Sequence, residues 1–254
     1  MLVVVSPAKR LDETPPKAEG GSQPVFLDQA AELARTAGKL SGQELEKLMH
    51  ISPKLGALNA DRFAEFGTGK GEKQALEMFA GDTYAGLDAA TLDEDARRYA
   101  QDHLCILSGL YGLLRPQDII APHRLEMGSR LANARGKNLY HFWGDRIAGA
   151  LVARANETGV QALVNCASVE YFSAANRDAL GLRVITPMFY EMKNGTPKIV
   201  SFFAKKARGS MARYVMEQRL TDPADLTGFD LGGYRHQPDM SEGDTLVFLR
   251  DSEA

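Results

Sequence analysis

Leu104-Cys105-Ile106-Leu107-Ser108-Gly109-Leu110-Tyr111-Gly112-Leu113-Leu114-Arg115-Pro116 is the stretch whose reading decides the fold. Its first four residues are an apolar run bounded by turn formers, which reads as a buried strand. A hydroxyl, two glycines, an aromatic ring, an arginine and a proline follow directly. Glycine lets backbone approach a ligand or turn with positive φ, and arginine offers a planar fork of donors suited to phosphate or carboxylate. Open α/β sheets place their ligand sites at such strand ends. The same order occurs twice more: Leu2-Val3-Val4-Val5 opens into Ser6-Pro7-Ala8-Lys9-Arg10, and Ala162–Cys166 gives way to Ala167, Ser168, Glu170 and Tyr171. A wholly apolar strand such as Leu2–Val5 is covered on both faces. If the three lie side by side and parallel, their C-terminal ends converge on one crevice.

The rest of the chain is read around that sheet. Its 254 residues, 44% hydrophobic and 25% charged, suit a globular protein with a substantial core. There is no apolar run long enough to span a membrane and no signal-peptide pattern at the start, so no membrane partner is expected. Cys105 and Cys166 sit in apolar runs, as buried thiols of a cytoplasmic protein would. They could form a redox pair only if their strands were neighbours. The net charge of −3 does not advertise nucleic-acid binding. Lys193–Arg219, however, carries seven basic residues against one acidic residue, Glu217.

Helical spacing predicts a helix over Phe26–Leu40. Ser41-Gly-Gln-Glu44 is a capping box that opens a second helix, and Ser52-Pro53 opens a third. Thr91-Leu-Asp-Glu94 reads as another capping box, for a helix reaching His103. Asn138–Ala155 reads as one amphipathic helix. Val184–Glu191 and Lys198–Ala204 read as two strands around the turn Asn194-Gly195, followed by a helix over Ala207–Arg219 and a last strand at Thr245–Leu249. No linker divides the chain. The expectation is one α/β domain over 1–254 with a helical insertion at about 26–100.

Two sets of candidate residues emerge. The first is polar side chains at strand ends: Ser6 and Lys9; Ser108, Tyr111 and Arg115; Asn165, Ser168 and Glu170. To these are added Glu126, two residues from Arg124 in an extended segment, and Lys205, Lys206 and Arg208, read as following a strand. They point to an anionic small molecule: Ser108 and Tyr111 contact it, Glu126 or Glu170 acts as acid or base, and the cations hold phosphate. Structural salt bridges around Glu126 and Glu170 are the competing account. The second set lies in Leu45–Phe66, two short helices joined by a tight turn. It reads either as a plain αα-hairpin or as a helix-hairpin-helix that meets duplex DNA through Ser52, Lys54, Asn59 and Arg62, with Arg213 from the basic stretch. The segment Ser41–Phe66 holds three Lys/Arg against four Asp/Glu, which weakens attraction to phosphate. The five histidines have no metal-ligand spacing, and neither a metal nor a cofactor is expected.

Several segments together resemble the YaaA family, also called DUF328 or UPF0246. They are Ser6-Pro-Ala-Lys9, Ser108-Gly-Leu-Tyr-Gly-Leu-Leu-Arg-Pro116, Arg124-Leu-Glu-Met-Gly128, Asn133-Ala-Arg-Gly-Lys137, Phe142-Trp-Gly-Asp145, Asn165-Cys-Ala-Ser168 with Glu170-Tyr-Phe172, and Ser201-Phe-Phe-Ala-Lys-Lys-Ala-Arg-Gly209. They run in family order over nearly the whole chain. The resemblance implies a cytoplasmic protein that limits peroxide damage and free iron. It also implies an α/β fold with a mixed sheet of unusual topology and affinity for double-stranded DNA through a helix-hairpin-helix. The Ser108–Pro116 core is also similar to short motifs near the tRNA-guanine transglycosylase group, which implies a nucleobase or nucleotide ligand.

Overall fold

A computed structural model describes residues 1–17, 20–175 and 178–251; positions 18 and 19, within the loop expected after the first strand, lie outside them. In chain order the elements are β1 (Leu2–Val5), α1 (Leu27–Ala37), α2 (Gly42–Met49), α3 (Pro53–Ala64), β2 (Lys73–Gln74), α4 (Ala75–Met78), α5 (Asp82–Leu87), α6 (Glu94–His103), β3 (Leu104–Ser108), β4 (Gly112–Leu114), β5 (Ile119–Ile120), α7 (Leu139–Trp143), α8 (Arg146–Thr158), β6 (Ala162–Cys166), α9 (Val169–Phe172), β7 (Arg183–Lys193), β8 (Thr196–Lys198), α10 (Ser201–Gln218), β9 (Tyr234–His236) and β10 (Thr245–Asp251).

The main sheet is mixed. Its order is β4-β3-β1-β6-β7-β10-β9, with β8 paired to β7. From β3 to β10 the neighbours are parallel, while β4, β8 and β9 add antiparallel strands. The three strands do lie side by side and parallel, with β1 between β3 and β6. All four β1 side chains are fully buried. Successive strand residues point to opposite faces, so both faces are covered, and each such Leu or Val contributes about 1.5–3 kcal/mol. The chain moves from β1 to β3 on one side and then to β6 on the other. That reversal leaves a crevice beyond the carboxyl ends of the strands.

Several local expectations need correction. Lys198–Ala204 is not a strand: β8 ends at Lys198 and α10 begins at Ser201. Ile199, Val200, Phe202 and Phe203 favour β structure locally, but the buried Ala204, Ala207, Met211, Ala212, Val215 and Met216 keep one helical phase. The turn itself is as expected, with Asn194 and Gly195 both at positive φ. Asn138–Ala155 is broken at Gly144, whose φ of +50° ends α7. The cap of α6 is Asp93, not Thr91. The capping box at Ser41 and the Ser52 cap both form.

One close approach positions the site. Gly86 of α5 and Gly209 of α10 face each other's helices. A β-carbon on Gly209 would fall on the Thr83 carbonyl, and one on Gly86 would fall on the Lys206 carbonyl. The glycines therefore let two helix backbones touch, fixing α10 against α5.

Candidate functional site: a strand-end cleft

A cleft of about 520 Å³ opens where β1, β3 and β6 end, within the size range of small-molecule sites. Ser6 follows β1, Ser108 ends β3, Cys166 ends β6, and Ser168 and Glu170 lie just beyond; all line it. Two further walls come from distant sequence. Gly109 leaves room for the segment 123–128 to cross the end of β3, since a β-carbon there would sit 3.1 Å from the carbonyl carbons of Leu125 and Glu126. That segment delivers His123, Arg124 and Glu126. The α5–α10 contact delivers Thr83 and Tyr84 from one helix and Lys205 and Arg208 from the other.

Many of these groups are already engaged. Ser6 Oγ accepts from Ser168 N at 2.9 Å and donates to Ser168 Oγ at 3.3 Å. The Tyr84 hydroxyl donates to Ser6 O at 3.2 Å, and Ser108 Oγ accepts from Tyr111 N at 3.0 Å. Glu126 is clamped between Lys9 Nζ at 2.8 Å and Arg124 Nη2 at 2.9 Å, so Arg124 and Glu126 do point the same way. Glu170 Oε1 accepts from Gly128 N at 2.9 Å.

Other groups are open. Arg208 is half-buried, and neither it nor Lys205 has a hydrogen bond or ion pair within the described residues. Burial lowers the pKa of Arg208, with the Cys166 thiol opposing the shift. Burial pushes the Cys166 thiol up to about 12, despite the guanidinium beside it, and Cys105 likewise. Both thiols therefore stay protonated and unreactive. They cannot pair in the fold, because β1 separates their strands. Their β1 partners, Val4 and Val5, also face opposite sides of the sheet.

Four of the strand-end candidates lie outside the cleft lining. Tyr111 is buried, its hydroxyl accepting from Ala121 N at 3.0 Å. Arg115 bonds the buried Asp118 through Nε at 3.2 Å and Nη2 at 3.1 Å, so it acts as a structural salt bridge. Asn165 accepts from Ala167 N at 3.1 Å. Lys206 is exposed on α10, which also places Lys205 and Arg208 in the second turn of a helix, not directly after a strand.

The second set is dispersed. Ser52 caps α3 and Lys54 is exposed. Asn59 is fully buried, with Nδ2 donating to Leu55 O. The Arg62 side chain is 10% exposed and pairs with Glu13 at 2.5 Å. Arg213 braces α10 to α5, donating to Leu87 O, Asp88 O and Thr91 Oγ1 and pairing with Glu217. The α2–α3 hairpin exists, but Asn59 and Arg62 are committed inside the protein and the exposed Ser52 is taken up by its helix cap.

Sequence reading passed over His123 and Tyr84, and named Tyr171 only as following the third strand. His123 is buried beside the Phe79 and Tyr111 rings, and burial pushes its pKa down to about 4. Tyr171 lies near Glu126 and Glu170, and burial first, then those carboxylates, raise its pKa. His123 had one available signal, its place directly before the Arg124–Gly128 segment.

Residues 1–240 match the family model described as "Peroxide stress protein YaaA". A UPF0246 protein of Cereibacter sphaeroides (strain KD131) is 59% identical over 98% of this chain and 99% of its own length. UPF0246 proteins of Jannaschia sp. (strain CCS1) and Ruegeria pomeroyi are 56% and 55% identical, covering 100% and 98% of this chain and 98% of each relative. With the strand-end motifs lying in one cleft and the match running nearly end to end, the chain belongs to the YaaA (UPF0246) peroxide stress family.

Proposed function

We propose that this protein serves in defence against peroxide by binding an anionic small molecule, a phosphate ester, in the strand-end cleft. The observation that carries this reading is Arg208. A half-buried guanidinium without a partner among the described residues is costly to hold, and this one lines a cleft in which Glu126 is already neutralised by Lys9 and Arg124, while Glu170 and Asp82 are paired with no cation among those residues. An incoming phosphate would relieve that cost, with Lys205 adding a second cation. A lowering of free iron would follow downstream of this binding. In titration calorimetry with ribose 5-phosphate, Arg208→Ala should weaken binding at least tenfold. Cells carrying the same variant should lose peroxide survival. Unchanged affinity in the variant would refute the reading.

Contact with duplex DNA is a second reading, favoured by the exposed Lys54 in the first turn of α3. Such binding should fall steeply with salt, by about one unit of log–log slope per phosphate contact, and Lys54→Glu should reduce it. Insensitivity to both would dismiss it.

A further inference from the structure

His123 offers the cleft a chemistry different from its cations. Its Nδ1 lies 2.9 Å from Ala121 O. A carbonyl can only accept, so Nδ1 carries the proton and Nε2 holds the lone pair in the neutral ring. Nε2 has no partner among the described residues, yet it is not sealed, because the only sealed and unpartnered side-chain atoms among them are Asn59 Oδ1 and Arg62 Nε. His123 is one of the residues that line the cleft. The ring is also held in place by the edges and faces of Phe79 and Tyr111, with centroids 6.0 and 5.2 Å away. Burial keeps it neutral through physiological pH.

Of the other acceptors lining the cleft, the Asp82 carboxylate has no partner among the described residues, and the rest are largely spent. Glu126 holds two cations, Ser6 and Ser168 hold each other, and one oxygen of Glu170 takes the Gly128 amide. A neutral ring nitrogen accepts a hydrogen bond without repelling a phosphate, which a free carboxylate would do.

Resting on the anion reading above, we propose that His123 is a specificity-determining acceptor of the cleft: it selects, among phosphate esters, those whose organic part presents an O–H or N–H donor to Nε2, as a sugar phosphate or a nucleotide does. Arg208 and Lys205 would take the phosphate, and His123 would read the group attached to it. An ester lacking a donor would satisfy the cations and leave Nε2 empty.

The test uses the full chain with three probes: methyl phosphate, which has no donor on its organic part, ribose 5-phosphate and adenosine 5′-monophosphate. The donor-bearing probes should bind about tenfold more tightly than methyl phosphate, the worth of one good hydrogen bond. His123→Phe, which keeps an aromatic ring between Phe79 and Tyr111, should erase that difference. Preference for only one of the two larger probes assigns the ligand as sugar phosphate or nucleotide. If all three bind alike and Arg208→Ala weakens all three, the acceptor role is overturned while the anion site stands. If none binds, both readings fall. ¹⁵N NMR of the wild-type imidazole gives a readout that needs no variant. A proton on Nδ1, with an Nε2 resonance that moves when ribose 5-phosphate is added, is expected; a proton on Nε2, or a resonance that stays still, overturns the proposal.

Discussion

Gly209→Ala sets two well-known effects against each other. In an exposed helix interior, glycine to alanine stabilises by about 1 kcal/mol. At position 209 the new β-carbon would fall on the Thr83 carbonyl oxygen, 2.7 Å from that carbonyl's carbon and 2.8 Å from Leu87 N. Optimal carbon–carbon separation is about 3.5–4.0 Å, so α5 and α10 would have to part by roughly 1 Å. The obstructing atoms are backbone and cannot rotate away. Overpacking of this kind costs about 1–3 kcal/mol. Taking the upper end and subtracting the helical gain leaves a net loss of about 2 kcal/mol. In a chain of this size that lowers Tm by roughly 4–8 °C. Gly149→Ala is the control: Gly149 is exposed on α8 with nothing within 4 Å of its would-be β-carbon, so it should gain up to about 1 kcal/mol. Thermal and urea unfolding of both variants against the parent measures this. A stabilised Gly209→Ala would refute the reasoning, because it would mean that α10 does not rest on α5. Arg208 and Thr83 sit on these two helices, so the same variant should also weaken ligand binding.

Further outcomes follow from the buried groups. His123 has an ordinary pKa of 6.5 and a folded value of about 4. The unfolded chain therefore binds a proton first, and stability falls as pH drops from about 6.5 to 4, by on the order of 3 kcal/mol. The charged and polar neighbours of the ring are Arg62 and Tyr111, and the shift is ascribed to burial, so His123→Phe should remove that slope relative to the parent in urea titrations from pH 7 to 5. Both cysteines should be inert to a thiol reagent at pH 8 in the folded protein and react only on unfolding; fast labelling of either would contradict their burial. Asp118→Asn should cost about 1–3 kcal/mol, because it strips the charge from a buried carboxylate that accepts from Arg115, itself about a third exposed, and from Ser22; unchanged stability in urea unfolding would refute this.

The parallel core was legible because β1, β3 and β6 are short, apolar on both faces and followed at once by small polar residues. Those features fit an arrangement in which three parallel strand ends meet, and the pairing of β1 with β3 and β6 realises it. The helix start at Ser201 was not legible, since Ile199–Phe203 has strong β propensity and only the burial of Ala204 and Ala207 and the packing of Gly209 against α5 decide for helix. The same limit governs the site. Ser6, Ser108, Ser168 and Glu170 were readable from strand ends, and Lys9 and Glu126 from their neighbourhoods. Arg115 carries the residue type of a phosphate ligand, but the buried Asp118 three residues on claims it. His123 was passed over because a histidine gains its meaning from burial and from which ring nitrogen is bonded, neither of which a sequence displays.

The central claim is that Arg208 waits for an anion. Calorimetric titration of ribose 5-phosphate into the parent and into Arg208→Ala tests it most directly. The account predicts saturable one-to-one binding by the parent that weakens at least tenfold in the variant; equal affinity in the two proteins would contradict it.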